Sequence, residues 1–283
     1  MTEKKTSSDL LAFLNCEALD KNLFRGQSKD FKTGQVFGGQ VLGQAIKAAY
    51  ETVGSERLIH SAHAYFLKRG DVDTPIIYEV DRSLDGGSFS SRRVVAIQHG
   101  QQIFHLSASF QKKEEGLEHH RTWVPPIDVL NSALEAKASG KHSFQSEFFD
   151  VHHVPDDQVS EPETMQYWFK AKQSLPDDIR SHHAILAYIS DMGLLLSTLA
   201  PHELDEPNTQ QRYKKVIMAS LDHAIWFHRP FNVEDWLFYE CRAQSTGNGR
   251  GLAFGRVYDQ QGMLVASTSQ EGLIRLKDKL DLV

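Results

Sequence analysis

One order of elements occurs twice in this chain, and that repeat leaves few folds open. In the first half, FGGQVLGQAIKAAYETVG (37–54) sets Val41, Leu42, Ala45, Ile46 and Ala49 at helical spacing behind the pair Gly38-Gly39. Gly54 is the expected C-cap. Four stretches of strand character follow: IHSAHAYFLKRG, PIIYEVDRS, FSSRRVVAIQHG and IFHLSASFQ. In the second half, FFDVHHV and MQYWFKA read as strands and DDIRSHHAILAYISDMGLLLSTLAP (177–201) as one helix. VIMASLDHAIWFHRP, WLFYECRAQ, GLAFGRVYD and LVASTSQEGLIRL then give four more strands. A shift of 161 residues, from Phe66 to Phe227, lays Ile76-Ile77-Tyr78-Glu79 on Leu237-Phe238-Tyr239-Glu240. One inserted residue later, His99-Gly100 meets Gln261-Gly262. A repeat this long signals a duplicated domain, not a solenoid.

The expected fold class is therefore α+β, with each half a long central helix wrapped by an antiparallel sheet. The first domain spans residues 1–111 and the second 146–283. The charged, then Pro-rich segment 112–145 reads as a linker with one helical turn near 127–138. Ahead of the first repeat, SSDLLAFLNCEALD (7–20) suggests a short helix capped by Ser, and LFRGQS (23–28) a short strand.

Composition narrows the function. Hydrophobic residues make up 40% of 283, enough for a sizeable core. A net charge of −6 speaks against a nucleic-acid partner. No run of about 18 apolar residues predicts membrane insertion. The polar start MTEKKTSSD lacks a signal-peptide core, and LDLV is not a peroxisomal tail. Cys16 and Cys241 fit neither metal spacing nor a disulfide framework, and a reducing cytoplasmic location is expected. The histidine pairs 119–120, 152–153 and 182–183 lack partners at zinc spacing, so neither metal nor cofactor is expected.

Chemistry is expected around KKVIMASLDHAIWFHRPF (214–231), read as one strand that is polar where it should be most buried. Asp191 is the only Asp, Glu, Lys or Arg between Arg180 and Glu203. An interior carboxylate in an apolar helix is costly unless hydrogen-bonded. It has no capping task there, which points to function. Ser220 and Gln270 carry little alone. A triad of Ser220, Asp222 and His223 is rejected because strand alternation sends Ser220 and His223 to opposite faces. No G-x-S-x-G elbow occurs, and GNGRG (247–251) reads as a turn, not a phosphate loop.

Five ordered motifs, FGGQVLGQA (37–45), HSAHAYFLKRGD (60–71), GSFSSRRVVAIQHGQQIFHLSASFQ (87–111), SLDHAIWFHRPF (220–231) and STSQEGLIR (267–275), resemble the TesB-type acyl-CoA thioesterase II family. The resemblance covers nearly the whole chain. It implies a double hotdog fold, hydrolysis of acyl-CoA to fatty acid and CoA, and a homodimer or homotetramer. It also implies a catalytic group of Asp, Ser or Thr, and Gln, which falls on Asp191, Ser220 and Gln270. In that reading Asp191 is the base for a water that Ser220 and Gln270 orient. Gly38 and Gly39, at a helix N-terminus, would hold the thioester carbonyl. Lys68, Arg69, Arg92, Arg93 and Arg229 are candidate partners of the CoA phosphates. One site per chain is expected, because the first half offers FGGQ where the second offers ISDMG. A hydratase or dehydratase on the same fold is the alternative. His182 and His183 are too far along the helix from Asp191 to support it. A silent acyl-CoA-binding module is a third reading.

Overall fold

A computed structural model describes residues 9–31, 34–120, 123–138, 146–155, 158–159, 161, 163–204 and 209–277. Helix α1 (Leu10–Leu14) is short, as expected, but Asp9 caps it, and the chain re-extends at once into β1 (Glu17–Asp20). Ser7 and Ser8, the expected caps, lie outside the described residues. Strand β2 (Leu23–Gly26) leads to α2 (Gly38–Tyr50), nearly all of which is buried. Its C-cap is Glu51, not Gly54. Strands β3 (Arg57–Phe66), β4 (Ile76–Asp85), β5 (Phe89–Gln98) and β6 (Gln101–Lys112) complete the first half.

Residues 127–138, expected to hold one turn, form the helix α3 (Ile127–Ala138). The second half repeats the first: β7 (Phe149–His153), β8 (Thr164–Ala171), α4 (Ile179–Ser190), β9 (Val216–Ser220), β10 (Asp222–Phe227), β11 (Leu237–Gly247), β12 (Arg250–Tyr258) and β13 (Leu264–Leu276). Its helix stops earlier than the apolar run suggested. Asp178 caps the start and Asp191 is the C-cap. Gly193, at φ +88°, then turns the chain away before a short 3-10 segment, Leu195–Leu199. Such a backbone angle favours glycine.

Among the described residues the strands form one sheet in the order β1-β2-β4-β5-β6-β3-β10-β13-β12-β11-β8-β7, with β9 also on β13. Read from its two edges, the order is the same for each half, and the seam is β3 against β10. The two helices lie against each other within the curve of this sheet. Two glycines of α2 set how close they come. A Cβ on Gly39 would overlap the Tyr188 carbonyl oxygen, and one on Gly43 would come to 3.1 Å from that of Ala184. The pairing of 39 with 188 and 43 with 184 makes the helices antiparallel. The N-terminus of α2 therefore meets the C-terminus of α4.

The segment 214–231 is not one strand. It breaks at Leu221, whose N–H donates to the Glu271 carbonyl and whose own carbonyl accepts from Phe66 N–H, both at 2.9 Å. Ser220 pairs with Gly272 while Ala224 pairs with Ser269, so the register slips by one residue across the break. A bulge of this kind re-aims side chains. No helix among the described residues is long and apolar enough to cross a membrane.

Candidate active site

The helix junction and the bulge bring Asp191, Ser220 and Gln270 together. Gln270, fully buried on β13, donates one N–H to Asp191 Oδ1 at 2.5 Å and the other to Ser220 Oγ at 2.9 Å. Gly39 N–H, in the first turn of α2, also donates to the Asp191 carboxylate. Burial pushes the Asp191 carboxyl up to about 6, against the opposing pull of these two donors. A carboxylate with that value is ionised at neutral pH yet still able to take a proton.

The turn that carries Asp191 is held from behind by residues the sequence did not single out. Tyr239 Oη donates to the Ser190 carbonyl at 3.0 Å and meets Thr268 Oγ1 at 2.7 Å. Ser190 Oγ donates to the Ala187 carbonyl and lies 2.9 Å from His223 Nε2. Burial raises the Tyr239 phenol well above its usual range and pushes His223 down to about 3, so both stay neutral. The positions of Ser190 beside Asp191 and Thr268 two residues before Gln270 were the only hints in the sequence.

The strand-alternation reason against a Ser-His-Asp triad does not hold, because the bulge turns Ser220 to the same side as His223. Hydrogen bonding keeps the triad from forming instead. His223 Nε2 is engaged with Ser190, Ser220 with Gln270, and Asp222 accepts from Glu271 N–H at 2.7 Å. His182 and His183 are spent elsewhere, on Val233 N–H and Tyr50 Oη.

A cavity of about 250 Å³ opens beside this group, with Gly38, Val41, Phe66 and Ser220 in its walls. Exposed Lys68 and Arg69 stand at its mouth. Gly38 is needed here, since a Cβ would sit 2.7 Å from Asp191 Oδ2 and 2.9 Å from the Phe66 ring. The other expected cations are not at the cavity. Arg92 is fully buried and committed to Thr52, to the Leu84 carbonyl and to Asp85 Oδ1 at 2.5 Å. A guanidinium so satisfied has nothing left for a phosphate. Arg93 alternates with it, exposed on the opposite face of β5. Arg229 lies beyond the far end of β10, about 20 Å of extended chain from Asp222, and donates to the carbonyls of Leu264 and His119.

The pseudo-symmetric counterpart of this site is empty of chemistry. FGGQ and ISDMG are not equivalents, as expected from sequence, but partners that meet across the antiparallel helices. The true counterpart of Asp191 is Glu51, the exposed C-cap of α2. Ser220 corresponds to Ile59. Since His63 pairs with Ser107 as Ala224 pairs with Ser269, Gln270 corresponds to Ala108. Neither replacement carries a hydroxyl or an amide.

The sequence model of the family described as acyl-CoA thioesterase matches residues 136–273, and that of the acyl-CoA thioesterase N-terminal domain matches 27–111. Acyl-CoA thioesterase 2 of Haemophilus influenzae is 38% identical, covering 96% of this chain and 98% of its own. The chain belongs to the acyl-CoA thioesterase family. Acyl-coenzyme A thioesterase 8 of Mus musculus is 36% identical over 94% of this chain and 89% of its own. A crystal structure of an acyl-CoA thioesterase II, TesB2, from Mycobacterium marinum superposes with a TM-score of 0.80 at 36% identity, covering 95% and 98% of the two chains. The fold of this acyl-CoA thioesterase family member is accordingly a double hotdog, and its reaction class is thioester hydrolysis.

Proposed function

We propose that this chain hydrolyses acyl-CoA at a single site formed by Asp191, Ser220 and Gln270, with water as the nucleophile. The observation that carries this reading is a carboxylate lifted to about 6 and bridged to a hydroxyl by one buried amide. Both N–H groups of Gln270 are committed, so it acts by holding Asp191 and Ser220 at a fixed separation. Asp191 takes a proton from the water as its oxygen attacks the thioester carbonyl carbon. Ser220 aims that water. The first-turn N–H of Gly38, without an intrahelical partner, faces the developing oxyanion. Gly39 N–H is already used on Asp191, where the positive end of the helix favours the ionised form. The C–S bond then breaks, CoA leaves as a thiolate and receives the proton held by Asp191. Lys68 and Arg69 at the cavity mouth are the cations best placed for CoA phosphates.

Trapping of free thiol from acyl-CoA tests the activity itself, and binding without CoA release would leave only a binding module. Ser220→Ala and Gln270→Ala should each lower kcat by about 10- to 100-fold with KM little changed, since aim matters only in the transition state. Equal losses in kcat and affinity would contradict that role. Titration with a non-hydrolysable acyl-CoA should reach one equivalent per chain. Two equivalent sites would give the Glu51 region a function it lacks the groups for.

The proposal extends to a homodimer or homotetramer in the cytoplasm. Cys16 and Cys241 are free thiols, which suits a reducing setting. The sheet carries exposed Tyr65, Phe89 and Phe254, which suits contact with a further copy. Light scattering should give a mass above 32.0 kDa at micromolar concentration.

A further inference from the structure

The two chain segments that supply Ser220 and Gln270 place a second pair of polar side chains behind Asp191, and the scheme above gives that pair no part. His223 stands three residues past Ser220, on β10, and Thr268 two residues before Gln270, on β13. Both are buried. His223 Nε2 lies 2.9 Å from Ser190 Oγ. Thr268 reaches the Ser190 carbonyl through Tyr239 Oη, in steps of 2.7 and 3.0 Å. Ser190 spends its own proton on the Ala187 carbonyl, so the imidazole hydrogen sits on Nε2 and the lone pair on Nδ1. That lone pair is buried and has no partner among the described residues. An unpaired buried acceptor is costly, and a ring kept at that cost points to a task for its other nitrogen.

We propose that His223 is a positioning residue of the reaction, acting through Ser190 to fix the helix end that carries Asp191. This rests on Asp191 being the reacting carboxylate. The last four carbonyls of a helix lack intrahelical partners. In α4 that of Ala187 is met by Ser190 Oγ, that of Ile189 by Met192 N–H and that of Ser190 by Tyr239 Oη. Ser190 is thus the knot of the terminus, and the donor from His223 holds its hydroxyl in the rotamer that serves Ala187. Burial keeps the ring neutral, its protonation pushed down to about 3, so the donor is the same at every working pH. Ser220 and Gln270 hold Asp191 from the front, while His223 and Thr268 hold its turn from the back. With both sides tied to the same two segments, the carboxylate cannot shift relative to the hydroxyl that aims the water. The first half of the chain supplies the contrast. By the strand registers, Ala62 stands in place of His223 and Leu106 in place of Thr268. Tyr78, the counterpart of Tyr239, turns its hydroxyl to Gln44 Oε1 at 2.8 Å instead. Packing needs of the fold are common to both halves, yet this polar tie exists only in the half that bears the carboxylate.

The test sets two replacements of His223 against each other, with kcat and KM measured on one acyl-CoA. His223→Phe keeps the ring and loses the donor. His223→Gln loses ring volume and keeps a donor near the place of Nε2. Positioning predicts that Phe lowers kcat by about 10- to 100-fold, the scale of a displaced catalytic group, with KM within about twofold. Gln should stay within about fivefold of wild type. A packing role predicts the reverse order, and a Gln variant as impaired as Phe, or more so, would overturn the proposal. Ser190→Ala, a change that favours helix, removes the relay with the ring in place and decides the matter if a ring variant fails to fold. It should lower kcat by the same factor as Phe, and wild-type kcat in Ser190→Ala would overturn the proposal. Adding Ser190→Ala to Asp191→Asn should cost less than about twofold more, because no base is left to place. A full further loss in that pair would refute the positioning of Asp191 and leave its role as base intact. An Asp191→Asn variant as active as wild type would instead end the base assignment itself.

Discussion

Replacing Asp191 with Asn should reduce kcat by about 10²- to 10⁴-fold, the scale of a lost general base. The change keeps the shape and leaves the Gln270 and Gly39 donors an oxygen to bond, so the loss reports the missing proton acceptor. In the wild type, kcat/KM should fall with unit slope as pH drops through about 6, because only the ionised carboxylate accepts the proton. That acidic limb should be absent from Asp191→Asn. A covalent scheme with Ser220 as nucleophile makes a different forecast: Ser220→Ala becomes the worst variant, and rapid-quench mass spectrometry finds acylated Ser220. Ser220→Thr, which keeps the hydroxyl, should be nearly silent in the water scheme.

The same substitution changes stability in a direction fixed by linkage. The folded carboxyl titrates near 6 and the unfolded one near 3.8, so the native state binds the proton more tightly. Its destabilising effect is absent below the unfolded value, grows as pH rises between the two and is complete above the folded one. A shift of this size corresponds to about 3 kcal/mol. The hydrogen bonds to the ionised form are weakened in Asn and offset part of the gain. Asp191→Asn should therefore be more stable than wild type by about 1–2 kcal/mol at pH 8, a gap that closes as pH falls below 6. Urea titrations at several pH values would measure it.

Much of the fold was legible from residue spacing, whereas the grouping of Asp191 with Ser220 and Gln270 came from the family resemblance, and the rest failed for identifiable reasons. The duplicated order of helix and strands could be read because hydrophobic period changes from 3.6 to 2 at each boundary, twice. The isolation of Asp191 in an apolar run marked it as unusual. Its place at a helix end was hidden because the apolar run continues through Leu194–Leu196, and only the backbone angle of Gly193 ends the helix. The bulge at Leu221 was invisible because it depends on hydrogen bonds to Glu271 and Phe66, which lie far away in sequence. The same gap misassigned Arg92. A dipeptide of two arginines looks like an anion site, but its alternation on β5 sends one of them inward to Asp85 and Thr52. The antiparallel meeting of FGGQ with ISDMG is a tertiary relation that no window of sequence contains.

That meeting is also where a single substitution should damage fold and function together. Gly39→Val should destabilise the protein by about 3–5 kcal/mol, above the usual range for overpacking. The added Cβ would overlap a backbone oxygen, that of Tyr188, and a backbone in a buried helix pair cannot swing aside as a flexible side chain can. Relief requires α2 and α4 to separate, and that moves Gly39 N–H off the Asp191 carboxylate. Gly43→Ala, one turn along the same contact, is the graded comparison. Its Cβ would lie 3.1 Å from the Ala184 oxygen and 3.0 Å from Leu14, a strain of tenths of an ångström, worth about 1 kcal/mol. Because Gly43 is a full turn from Asp191, its variant should keep kcat within about twofold while Gly39→Val loses nearly all activity. Equal stability of the two variants by urea unfolding would mean that the helices are not held at this contact. An active Gly39→Val would mean that the catalytic turn does not depend on it.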